Sequence, residues 1–334
     1  MARSSRATDK VTATMLDKFW EAAGSKLADR WAEVGVPALV YWLGGLLAWL
    51  WGHGGFSALR QPARWLGKQQ VPAQVVVILG LLIGVAASGV VIRRMTTPVL
   101  QLIEGYWPAF LRPLRDRRID QIRHKAERTE DRWQRLQEAV QNGTATADER
   151  AESVRADRRL RRLPSDGDYL PTRVGNTLRA AENRPTAKYG LNAPAIWPHL
   201  WLLLPEATRT ELSQARESLD TAVAACIWSL AFICFTPWAW WAAPVGLVIS
   251  LVAYLFWVPA RSEVYADLVE AAFDLHRTVL YTQLRWPLPT NPAEERDCGK
   301  RVSTYLLRGL SGTSPTFTQP AESPPEEKHE PVSR

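Results

Sequence analysis

Residues 221–258, TAVAACIWSLAFICFTPWAWWAAPVGLVISLVAYLFWV, decide how this chain is read. Two apolar runs, AVAACIWSLAFICF and PVGLVISLVAYLFWV, carry no charged side chain and flank a turn rich in Trp and Pro. Counting that turn, each run reaches the roughly 17 residues that a tilted helix needs to cross a hydrocarbon layer. Trp238, Trp240 and Trp241 in the turn are amphipathic rings that favour the headgroup level. The stretch predicts a helical hairpin through a membrane.

A second hairpin is predicted upstream. Residues 36–51, VPALVYWLGGLLAWLW, form a short first crossing with Gly44 and Gly45 at its centre. Residues 74–92, QVVVILGLLIGVAASGVVI, form the next and are followed at once by Arg93 and Arg94. Gly80, Gly84 and Ser88 put small side chains on one helix face, a signal of close helix packing read here as an intramolecular seam. Arg93, Arg94, Arg112 and Arg115, Arg261 and the N-terminal bases place three charged segments on the cytoplasmic side. Residues 53–73 and 237–243 then face outward. Arg60, Arg64 and Lys68 in the first of these resist that assignment, unless FSALRQPARWLG lies in the interface with Trp65 as its anchor.

Composition agrees with this partition. Lys and Arg number 41 against 34 Asp and Glu, a formal charge of +7, which points first to anionic lipid and only second to nucleic acid. The first apolar run starts after a polar segment rich in Lys and Arg, so no signal peptide is expected. Within that segment, Leu16, Trp20, Ala23, Leu27, Trp31 and Val34 recur at helical spacing, and residues 1–35 read as a cytoplasmic amphipathic helix. The 3 Cys give neither a disulfide frame nor a metal spacing.

Between the hairpins, residues 94–220 are charged and long enough for a domain. Ile119, Ile122, Ala126, Thr129, Trp133, Leu136 and Val140 step by three and four, a heptad pattern. Asn142-Gly143 ends that helix, and TADE at 146–149 resembles a capping box opening a return helix. The return helix ends in Arg155, Arg158, Arg159, Arg161 and Arg162. Interleaved acids and the lack of an aromatic platform argue against nucleic acid there and for an anionic leaflet. AIWPHLWLLL is too short to span and is broken by Pro198; it reads as a buried or interfacial helix. Residues 261–310 are helical, with Val264, Leu268, Ala271, Leu275 and Val279 as the apolar stripe of one helix. Residues 311–334 read as a disordered tail.

The predicted fold is therefore all-α: a polytopic membrane protein of two transmembrane helical hairpins, 36–93 and 221–260, with the helical cytoplasmic domain 94–220 inserted between them. The expected location is the plasma membrane, with both termini cytoplasmic.

Chemical motifs are scarce. No phosphate-binding Gly loop, His-Glu-x-x-His pair, Cys-x-x-Cys pair or nucleophile elbow occurs, and neither a catalytic residue, a metal site nor a cofactor is inferred. The crossings hold no charged residue of the kind that coupled transport needs. Arg173, Asn176, Arg179 and Glu182 form one candidate ligand-binding group, which an internal ion-pair network explains equally well; Asp274, His276 and Arg277 form the other, although residues two and three apart point to different helix sides.

In PTRVGNTLRAAE (171–182), KYGLNAPAIWPHLWLLLPE (188–206) and AAFDLHRTVLYTQLRWPLP (271–289) the chain resembles uncharacterised multi-pass membrane proteins of actinobacterial type. That resemblance brings no activity, ligand or catalytic residue with it. The leading expectation is a membrane scaffold or signalling component whose partners are the lipid bilayer, a cytoplasmic protein and a second copy, not nucleic acid. An oligomeric channel or pore-forming effector, and a membrane enzyme acting on a lipid or nucleotide, are the alternatives. The enzyme requires the two candidate groups to converge on one pocket.

Overall fold

The computed structural model describes residues 36–165, 167–309 and 317–318. The amphipathic segment expected over 1–35 and nearly all of the expected tail lie outside them. Among the described residues every regular element is helical, and no strand occurs. In chain order the helices are α1 (Val36–Gly52), α2 (Arg60–Gly67), α3 (Val71–Glu104), α4 (Arg112–Gln141), α5 (Ala147–Leu160), α6 (Arg173–Tyr189), α7 (Ala193–Leu203), α8 (Glu206–Ala231), α9 (Ala242–Val252), α10 (Val258–Gln283) and α11 (Pro292–Arg308). The helices that start at α3, α8 and α9 are long and apolar enough to cross a membrane, whereas α1 is a shorter apolar helix. The segment after α1 is helical too: a 3-10 turn, Gly55–Leu59, leads into α2.

The chain divides into two compact units. The first comprises the described residues up to Gln101 together with Asp220–Val258. Its tightest seam follows from missing side chains. A Cβ at Gly44 would stand 2.9 Å from the Phe232 ring, and one at Gly45 only 2.2 Å from that of Phe235. The paired glycines of α1 thus admit two aromatic rings, and Tyr41 adds contacts to Trp228 and Phe235 at centroid distances of 4.7 and 5.2 Å. Gly246 lets α9 approach α8, because a Cβ there would lie 2.5 Å from the Ser229 carbonyl. The Ser250 hydroxyl closes that contact by donating to the Cys226 carbonyl at 3.4 Å. Between α9 and α10 the winding loosens into a π turn, Ala253–Trp257, just ahead of Pro259, whose ring nitrogen has no hydrogen to donate.

The small-residue face of α3 differs from expectation. Gly80 and Gly84 have nothing within 4 Å of a Cβ position, and only 6% of the helix's apolar window is buried. The expected intramolecular seam does not form there. Trp42 reaches α3 at Ser88, to whose hydroxyl its indole N–H donates at 3.1 Å.

The second unit comprises Leu102–Leu219 and the described residues from Pro259 onward. Helices α4 and α5 form the antiparallel pair that the heptad spacing predicts, with Ala126, Ser153 and Ala156 buried and Trp133 half-buried. Thr146 and Glu149 complete a reciprocal capping box: the Glu149 carboxylate accepts from the Thr146 N–H at 2.8 Å, and the Glu149 N–H donates back to the Thr146 hydroxyl at 3.3 Å. The main core gathers Leu191, Ile196 and Leu200 near α7 with Phe273, Leu280 and Tyr281 of α10 and Val302 of α11. At the end of α6, Gly190 adopts φ +70, and a Cβ there would strike the Arg296 carbonyl at 2.1 Å. A Cβ at Gly299 would lie 2.0 Å from the Tyr189 carbonyl. Two glycines therefore let α11 cross the α6 terminus backbone to backbone.

Helix α10 corrects the sequence reading. Val264, Leu275 and Val279, three members of the expected apolar stripe, are exposed, Leu275 at 73%. The buried side is instead Ser262, Ala266, Phe273, Leu280 and Tyr281. Both stripes repeat at helical spacing, and the larger aromatic payload of the second goes inward.

Candidate functional site

The two candidate groups are positioned mainly by one helix, α6, facing another, α10. Along α10 the acids Glu263, Asp267, Glu270 and Asp274 follow a 4-3-4 spacing, which aligns them on one face. A base faces each of them. Arg173 pairs with Glu263 at 2.7 Å, Arg162 with Asp267 at 2.7 Å, Arg184 with Glu270, and Lys188 with both Glu270 (2.6 Å) and Asp274 (3.1 Å). Burial opposes the charge on Lys188, yet hydrogen bonds to Glu270 and Asp274 hold its pKa above the ordinary lysine value. The arginines that the sequence directs toward lipid thus include one, Arg162, engaged on α10.

Each nominated residue has a definite place. Asn176 is 2% exposed and bolts the loop before α6 to the helix: its side-chain oxygen accepts from the Leu170 N–H at 2.8 Å, and its amide donates to the carbonyls of Leu170 and Thr172. Arg179 donates to Asp168 through Nε at 2.8 Å and contacts Glu182 at 3.4 Å. Hydrogen bonding to Asp168 raises the Arg179 pKa further above its ordinary value. Asp274 accepts the Tyr189 hydroxyl at 2.6 Å. Burial, followed by that bond, pushes the Tyr189 pKa up to about 12. Arg277 stacks 4.1 Å above the Tyr189 ring and donates to Glu295 at 2.7 Å. His276 is half-buried on the same helix. Arg173, Asn176, Asp274 and Arg277 are therefore engaged with neighbouring protein groups. The cavity that takes in Arg179 and Glu182 is lined by none of Asp274, His276 and Arg277.

One cavity does take in part of the first group. It has a volume of about 250 Å³ and is bounded by Arg179 and Glu182 of α6, Trp197 of α7, Arg216 of α8, and Tyr265 and Phe273 of α10. Glu104 and Tyr106, at the corner after α3, complete it. That corner is fixed with care. Gly105 adopts φ +106, the Thr172 hydroxyl donates to the Glu104 carbonyl at 2.9 Å, and a Cβ at Gly175 would overlap that carbonyl at 1.9 Å. Burial raises the pKa of the Glu104 carboxyl; Arg216 opposes the shift and Glu182 adds to it.

Sequence reasoning missed Glu104, Tyr106, Trp197, Arg216 and Tyr265, which come from four separate segments and share no motif. It also missed the acidic face of α10, which the 4-3-4 spacing could have shown. Among the described residues no three His, Cys, Asp or Glu side chains gather into a metal-binding set. No known protein family, curated protein or solved structure matches the chain. The resemblance to actinobacterial membrane proteins gains no support from these comparisons.

Proposed function

We propose that this chain is a membrane-anchored scaffold or signalling component that presents its helical second unit to a cytoplasmic protein partner. The reading takes the protein as a four-crossing resident of the plasma membrane with both termini in the cytoplasm. The observation that carries it is the α4–α5 arm. With 14 residues in α5, the arm extends for about 20 Å at 1.5 Å per residue. It packs chiefly on itself and turns charged faces outward. A capped, self-supporting hairpin of this kind contributes little to the main core, which suits a recognition element.

The test replaces residues 112–163 by a short Gly-Ser linker and compares the partners recovered in mild detergent with those of the full chain. Loss of a specific partner with the arm is the expected result. An identical set of partners with and without it, from well-folded protein, refutes the proposal. Reporter fusions in the 53–73 segment and at the Asn142-Gly143 turn read the orientation separately.

The open face of Gly80 and Gly84 favours a second reading, an oligomer of this chain that forms a channel or pore. Conductance in planar bilayers tests it, and silence from a verified oligomer counts against it.

A further inference from the structure

We infer that one flank of α4 is a docking surface for an anionic membrane, with Phe110 and Leu114 entering the headgroup layer and the bases behind them lying on lipid phosphates. This rests on the membrane reading and not on the protein partner, for which the other flank of α4 stays free.

The first argument is how α4 sorts its charges. At 3.6 residues per turn, positions 114, 117, 118, 121, 125, 128, 132 and 135 follow one another along one flank. They read Leu, Arg, Arg, Gln, Lys, Arg, Arg, Arg, without an acid. Asp116, Asp120, Glu127, Glu130, Asp131 and Glu138, all the acids of the helix, fall in a sector of about 100° on the other flank. A helix that merely needed solubility has no reason to separate the two signs. One that lies on a negatively charged surface does.

The second argument is that the stripe is open. Arg117, Arg118, Lys125, Arg128 and Arg135 are exposed, and among the described residues none of the five has an acidic partner. Arg128 and Arg135 each donate to a carbonyl of their own helix, which leaves the charge unneutralised. Arg132 is the exception, paired with Glu152 of α5 at 2.8 Å. The sequence directs the α5 cluster to the leaflet, yet Arg161 and Arg162 of that cluster are engaged by Asp157 and Asp267. The longer unpaired row is on α4.

The third argument selects lipid. Phe110 is 77% exposed and Leu114 48%, one turn apart at the end of the stripe nearest α3. Apolar side chains set beside bases suit an interface that is greasy below and anionic above. Only residues 93–111 separate α4 from Ile92, the last apolar residue of the α3 crossing, so the chain itself tethers this end to the bilayer. No ring alternates with the bases along the stripe, and the stacked bases of a nucleic acid would find no platform there.

The experiment places the full chain in nanodiscs of phosphatidylcholine, and in discs with half of that lipid replaced by phosphatidylglycerol. Phenylglyoxal modifies accessible arginines, and mass spectrometry reads the rate at each. Arg117, Arg118 and Arg128 are expected to react at least fivefold more slowly in the anionic discs, while Arg123 on the acidic flank and Arg150 on α5 keep their rates. Salt at about 1 M, where the Debye length is about 3 Å, should restore the three rates. The double variants Phe110→Ser with Leu114→Ser, and Arg117→Gln with Arg118→Gln, change only exposed side chains. Each is expected to return at least half of the lost reactivity at Arg128. Equal arginine rates in the two discs overturn the docking and leave the membrane reading standing, whereas a chain that stays monodisperse in buffer without detergent refutes both. Equal slowing of Arg123 and Arg150 also overturns the docking, as does full protection of Arg128 in both variants. Polyuridylate that protects the three arginines in neutral discs as strongly as the anionic lipid overturns it in favour of nucleic acid.

Discussion

Replacing Arg277 by Ala removes a side chain that ties α10 to both α6 and α11. Its guanidinium donates to Glu295 at 2.7 Å, stacks 4.1 Å above Tyr189 and bonds to the Asp274 carbonyl. Glu295 is only 9% exposed, so the substitution leaves a carboxylate desolvated and without its guanidinium. Breaking a buried pair from one side costs about 3–5 kcal/mol, and the remaining exposure of Arg277 favours the lower end, about 3 kcal/mol. Because α11 lies over the core through Cys298 and Val302, that loss falls first on the docking of α11. Hydrogen exchange in detergent micelles reads it out. Amides of α11 are expected to exchange roughly 100-fold faster, a factor of ten for each ~1.4 kcal/mol, while those of the α4–α5 arm keep their rates. Arg277→Lys keeps the charge but loses the planar stack, and should recover part of the protection. Unchanged α11 exchange in Arg277→Ala, or an equal loss in both helix pairs, refutes the reasoning.

Three further outcomes follow from the same geometry. Gly45→Ala should destabilise the first unit by about 1–3 kcal/mol through overpacking against Phe235, whereas Gly80→Ala should be neutral or slightly stabilising in the monomer; thermal unfolding in detergent compares them. Thr146→Ala should cost about 1 kcal/mol and open the α4–α5 turn to limited proteolysis. Hydrogen bonds from the Thr146 backbone and hydroxyl hold the Glu149 pKa below its ordinary value, so this stabilisation is complete above the unfolded pKa and is lost as pH falls through the folded one; proteolysis at the turn should rise accordingly in acid, and less so in Thr146→Ala. A double-mutant cycle on Arg162 and Asp267 should give no more than about 1 kcal/mol of coupling, since the pair is half open to solvent; a markedly larger value would mean that the ion pairs along α10 act as one network.

Local rules made the α4–α5 arm legible, because a heptad, an Asn-Gly stop and a capping box all act within a few residues. The apolar lengths of the helices starting at α3, α8 and α9 were legible for the same reason. Phase and partner choice were not. Helix α10 carries two apolar stripes, and only the fold reveals that the one with Phe273 and Tyr281 turns inward. Likewise the glycines that carry close packing are Gly44, Gly45 and Gly246, each opposite a specific ring or carbonyl, while the more regular Gly80 and Gly84 face open space. Of the candidate site, Arg179 and Glu182 were named as ligand-binding candidates one helical turn apart. The aromatic residues and Glu104 that surround them come from distant segments, and no spacing rule links those.

The backbone crossing at Gly190 and Gly299 also sets an order on biogenesis. Ser303, which seals that crossing by donating to the Gly190 carbonyl, is made 113 residues later. At 5–20 residues per second, the floor formed by Leu191, Ile196 and Leu200 waits about 6–20 s for the helix that roofs it. Through that interval the apolar surface of that floor has no cover from α11. A ribosome stalled, or a message truncated, before residue 299 would yield a chain whose second-unit core never closes, and quality-control proteases would meet it first.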